Sequence, residues 1–140
     1  MRIRSGRPRT YRPTDKVGLQ FGYTYLHSEN LAPTPGGTSA VQFEPEHTAT
    51  ASINYRLLAG TVLSADYQFV AGSVALSRDQ LSTLPLDNYN LVNVGLTQDI
   101  SGSAAQVFGR VENLLDENYQ TAYGFPEAGR TFYLGFRTKL

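Results

Sequence analysis

The chain has 140 residues, with twelve Lys and Arg balanced by twelve Asp and Glu and 41% apolar residues, which bounds it to one domain or a part of one. The lack of cysteine excludes disulfides and thiolate metal sites. No run of ~18 apolar residues exists to cross a membrane as a helix. The neutral total hides a basic start, because Arg2, Arg4, Arg7, Arg9 and Arg12 all fall in the first twelve positions. Residues 1–15 are therefore expected to form a basic, disordered tail. Aromatic interleaving there is limited to Tyr11, so a nucleic-acid partner is not expected.

Six segments alternate apolar and polar residues, the period-2 pattern of strands with one greasy and one wet face. The first, 16–26, sets Val17, Leu19, Phe21, Tyr23 and Tyr25 against Gly18, Gln20, Gly22 and Thr24. The second, 47–57, is the cleanest, with Ala49, Ala51, Ile53, Tyr55 and Leu57 opposed by Thr48, Thr50, Ser52, Asn54 and Arg56. The third, 61–72, carries Leu63, Ala65, Tyr67, Phe69 and Ala71. The fourth, 89–100, carries Val92, Val94 and Leu96. The fifth, 105–114, alternates least clearly, and the sixth, 130–140, has Phe132, Leu134, Phe136 and Leu140 on one side.

The connections alternate in length. Residues 28–46, 73–88 and 115–129 are long, whereas Leu58-Ala59-Gly60 and Ser101-Gly102-Ser103 are tight turns. In an antiparallel meander this sorts every long loop to one end, the asymmetry of an outer-membrane barrel. The strands approach the 9–11 residues of a tilted spanning strand, and Tyr23, Tyr25, Tyr55, Tyr67, Phe69, Tyr89 and Phe132 cluster near strand ends, as an interfacial girdle would. The expected fold is all-β: an antiparallel up-and-down meander of about six long strands, part of a transmembrane β-barrel. Six strands leave two open edges, which lipid does not tolerate. Either the chain is part of a larger barrel or it closes by self-association. The alternative is a small soluble β-barrel that turns the greasy face inward around an apolar ligand.

The last third carries a family likeness. The stretch Arg110-Val111-Glu112-Asn113-Leu114-Leu115-Asp116-Glu117-Asn118-Tyr119 resembles the R-V-x-N-L-F-D-x-x-Y run in the penultimate strand of TonB-dependent outer-membrane receptors. Pro126-Glu127-Ala128-Gly129-Arg130 resembles the P-x-x-G-R end of the following loop, and Pro45-Glu46-His47 before a long strand is also similar. The resemblance covers residues 16–140, and it implies the last six of about 22 strands. The family's plug, its TonB-contacting box and its leader peptide have no counterpart in this sequence. What the resemblance implies is a transport component for siderophore- or cobalamin-like ligands in the bacterial outer membrane, with no cofactor. Its partners would be lipid, the remaining strands and plug of the parent receptor and, only through that plug, a TonB-type coupling protein. The family's terminal aromatic is replaced by Leu140, while Gly135 and Phe136 keep part of the closing-strand assembly signal.

Residue by residue, the expected lipid-facing set is Phe21, Ala49, Ile53, Leu63, Phe69, Val94 and Phe136, and Tyr123 and Phe125 are the candidate ligand contacts. His27 and His47 flank the first long loop. A metal site there would need a third ligand such as Glu29, Glu44 or Glu46, and surface loop roles are expected instead. Asp116 and Glu117 read as a strand end entering a loop rather than a catalytic pair, and no nucleophile or phosphate-binding motif is present. The chain is not expected to be an enzyme.

Overall fold

The computed structural model describes residues 2–5, 9–29, 39, 41, 43–58, 60–77, 82–100 and 104–138. The tight turn at 101–103, most of the first long loop and Leu140 lie outside the described residues. Twelve strands and no helix occupy the described residues. Six long ones form the meander: β3 (Val17–His27), β4 (His47–Leu58), β5 (Thr61–Ala71), β8 (Tyr89–Asp99), β9 (Ala105–Glu112) and β12 (Thr131–Thr138). All their neighbours pair antiparallel. The short pairs β6 (Val74–Leu76) with β7 (Thr83–Pro85), and β10 (Gln120–Ala122) with β11 (Phe125–Pro126), make hairpins inside the second and third long connections.

The basic start departs from its expectation. Two pieces, β1 (Arg2–Ser5) and β2 (Arg9–Thr14), both pair with β3, opposite its upper and lower halves respectively. The physical reason is the open edge of β3, whose unpaired backbone groups accept a further strand regardless of side-chain polarity. The β2–β3 connection at Asp15 and Lys16 thereby adds a tight turn at the same end as that at Gly60. Tyr11 continues the apolar row opposite Leu19, whereas Arg9 stands opposite Phe21 and interrupts the apolar face on β2.

Register converts six separate alternations into two surfaces. One line of direct partners runs Leu19, Ile53, Ala65, Val94, Val111 and Phe132 across all six strands. The adjacent line on the other side runs Gly18, Asn54, Ser64, Gly95, Arg110 and Tyr133. A one-residue slip between any two strands would mix these faces. At the β4–β5 reversal, Gly60 takes φ +81°, a conformation that a side chain would disfavour.

Little of the sheet is buried. Among the described residues the buried apolar side chains are Val70, Ala71, Ala75 and Leu86, all near the long-loop end, where the β6–β7 hairpin packs. Leu86 N–H donates to Ser73 O and Phe43 N–H to Val74 O there. Ile53 is 41% exposed and Leu63 47%, and the sheet does not close around them. The inward-facing barrel of the soluble alternative is therefore not the arrangement adopted.

The weak alternation of β9 has a local cause. Phe108 lies on the polar side, its ring over Gly135 of β12, where an added Cβ would sit 2.6 Å from the Phe108 Cζ. An aromatic ring covering a cross-strand glycine pins register. Gly135→Val is expected to cost about 1–3 kcal/mol by overpacking, measured by urea unfolding, and Phe108→Ala in the same chain is expected to recover most of the loss.

Candidate functional site

Three features of this sheet can act on surroundings: an exposed apolar wall, an aromatic rim, and a loop tied to the sheet by a buried asparagine. The wall comes first because the register builds it. Phe21, Ala49, Ile53, Leu63, Phe69, Val94 and Phe136 all occupy the apolar side. Exposure rises toward the free edge, where Phe132 is 71%, Leu134 84% and Phe136 79% exposed. An apolar surface of this extent is far beyond what a monomer leaves open to water. An eleven-residue strand such as β3 rises about 36 Å, and at a tilt of about 45° crosses about 25 Å, the height of an outer-membrane barrel's apolar band.

The rim sits on the same side near the long loops. Tyr23 Oη and His47 Nδ1 share a hydrogen bond of 2.8 Å, and the Tyr25 and His47 rings lie 5.1 Å apart. Tyr67 Oη donates to Asn90 Oδ1 at 2.6 Å. Rings with one polar tip suit a boundary that is apolar on one side and wet on the other. His27 and His47 do not converge, because His27 instead meets Glu29 at 3.3 Å. Among the described residues no three metal-ligating side chains cluster.

The third long loop is held by Asn113, which is 5% exposed and adopts φ +50°. Its backbone N–H donates to Asn93 Oδ1 at 2.9 Å, so a side chain of β8 receives the end of β9. Its side chain then bridges the loop: Oδ1 accepts Glu117 N–H at 2.8 Å, while Nδ2 donates to Glu117 O at 2.9 Å and Ala128 O at 3.4 Å. Asp116, also left-handed at φ +57°, accepts Arg130 N–H at 2.8 Å and thus joins the loop's two ends. A Cβ on Gly129 would lie 2.9 Å from that carboxylate. Asp116 and Glu117 are accordingly parts of a clasp. The signal was present in the sequence, since Asn tolerates the left-handed region and bonds nearby backbone. Its partners Asn93 and Ala128 are too distant in sequence to be read there.

Beyond the clasp, the Tyr119 ring packs against Tyr89, with centroids 4.4 Å apart and planes tilted by 36°. Burial raises the Tyr119 phenol above its ordinary range, and Glu127 and Glu112 add to this. Thr121 donates a hydrogen bond to Glu127, and Gly124 N–H donates to Gln120 Oε1 at 2.8 Å. Tyr123 and Phe125 flank the turn of the β10–β11 hairpin, 60% and 73% exposed. Tyr123 borders a cleft of about 170 Å³ that the third loop shares with Leu86 and Asp87 of the second. Phe125 does not line it. Gly135 and Phe136 fall on opposite faces of β12.

Long antiparallel strands, one lipid-compatible face, one polar face and sorted loops are the features of a segment of transmembrane β-barrel wall. The kinship is consistent with that class. The vitamin B12 transporter BtuB of Vibrio cholerae serotype O1 is 36% identical over 73 residues, covering 51% of this chain and 12% of that protein. The iron-regulated outer membrane virulence protein of the same organism is 28% identical over 127 residues, covering 87% of this chain and 19% of that protein. No family profile matches the chain. The chain thus spans less than a fifth of the length of these relatives. Both are TonB-dependent receptors of the outer membrane, and their partial likeness supports reading this chain as a C-terminal portion of such a receptor.

Proposed function

We propose that this chain supplies lipid-facing wall, polar lumen and ligand-approaching loops to a receptor that moves siderophore- or cobalamin-like molecules across the outer membrane. The observation that carries the reading is the unbroken apolar row from Leu19 to Phe132, backed by an equally unbroken row of polar and small residues. Phe21, Ala49, Ile53, Leu63, Phe69, Val94 and Phe136 meet hydrocarbon in this reading. Tyr123 and Phe125 meet the ligand at the outer mouth. Gly135, Phe136 and Leu140 belong to the strand presented to the assembly machinery. The free edges of β2 and β12 receive the remaining strands of the parent barrel, and a TonB-type protein couples through the parent's plug.

The chain has no tryptophan, so one can be introduced as a reporter. Val94→Trp and Asn93→Trp place it on neighbouring positions of β8 that face opposite ways. In vesicles of brominated lipid, fluorescence from position 94 is expected to be strongly quenched and that from position 93 largely retained. Equal quenching at both positions, or the reverse order, would overturn the assignment of faces.

A further inference from the structure

The polar face holds a basin of about 840 Å³ at its short-turn end, within the usual range for a ligand pocket. Gly18 lies in its floor, and a Cβ there would meet no atom within 4 Å. Three cations from three separate elements border it: Arg12 of β2, Lys16 of the following turn and Arg56 near the end of β4. Arg56 N–H donates to Lys16 O at 2.8 Å, which sets the backbones of the last two side by side. None of the three forms an ion pair among the described residues, where the pairs are His27–Glu29 and Arg110–Glu112. The carboxylate facing them is Asp15 alone among the lining residues, and the amides of Gln20 and Asn54 add neutral donors.

Three exposed cations bordering one concave site raise its positive potential and favour a counter-ion. Guanidinium groups and amides match the oxygens of phosphate and carboxylate. We propose that this basin is a binding site for a multiply charged oxyanion, carrying phosphate or clustered carboxylate groups. The site concerns the polar face alone, so it stands or falls independently of which surface meets lipid.

The test titrates the full chain in detergent micelles at low salt with inorganic phosphate and, separately, with a tri-glutamate peptide, followed by calorimetry. Saturable binding of phosphate identifies a small ion as the source. Saturation by the peptide alone identifies an acidic protein segment. Either is expected to weaken about tenfold in Arg56→Gln, the loss of one charge-assisted contact. Gly18→Glu, which sets a competing carboxylate in open space, is expected to weaken binding at least as much, and Gly18→Gln less. Lys16→Gln, in a surface turn, serves where Arg56→Gln does not fold. Absence of saturable binding by both probes overturns the proposal. So does binding unchanged in Gly18→Glu and Lys16→Gln, with the sheet intact by circular dichroism.

Discussion

Ile53→Arg is expected to lose about 2–4 kcal/mol of folded stability in bilayers, because the substitution sets a guanidinium at mid-strand on the hydrocarbon side. Ile53 lies near the centre of β4, between Leu19 and Ala65, so it is far from either interface to which a long side chain could snorkel. Ser52→Arg, one residue away, points to the other face beside Gln20 and Asp66 and is expected to change stability by less than about 1 kcal/mol. Urea titration of both variants refolded into vesicles, read by protease resistance, separates them. Comparable stability of the two would contradict a lipid-facing Ile53, whereas a soluble sheet with Ile53 in water would tolerate either change.

Asn113→Ala is expected to cost about 2–4 kcal/mol and to free the third loop while leaving the meander paired. The variant removes the acceptor for Glu117 N–H and the donor to Glu117 O, each worth about 1–3 kcal/mol when its partner stays buried. It also leaves a residue less tolerant than Asn in the left-handed region. Limited chymotrypsin digestion should then cut faster after Tyr123, with the strand content unchanged by circular dichroism. Asn113→Asp preserves the acceptor and loses the donor, and should fall between the two. Unaltered cleavage in Asn113→Ala would show that the loop is held by other contacts.

The strands were readable wherever a side chain's environment depends only on parity. β4 is the clearest case, since both its neighbours are strands and every second residue meets the same surface. β9 was blurred because a large ring, Phe108, stands on the polar side and a glycine, Gly109, on the apolar side, an arrangement that makes sense only once Gly135 is seen beneath Phe108. β2 was hidden because arginine and proline argue against a strand locally, while the open edge of β3 favours one tertiarily. The hairpins β6–β7 and β10–β11 have strands of two or three residues, too short for alternation to register. The clasp was half legible. Its motif marked the place, but Asn113 works through Asn93, twenty residues earlier in the chain.

The sorting of connections gives the sheet a direction as well as a shape. Moving a peptide group through hydrocarbon without a hydrogen-bonding partner costs several kcal/mol. A reversal as brief as that at Gly60 drags few such groups, while the connection between β9 and β12 would drag its charged side chains and much unpaired backbone. That cost makes the bulky ends the ones that cannot slip back through the wall once the strands are in place. A chain built this way is therefore locked in one orientation, with its crown held permanently on one side of the membrane.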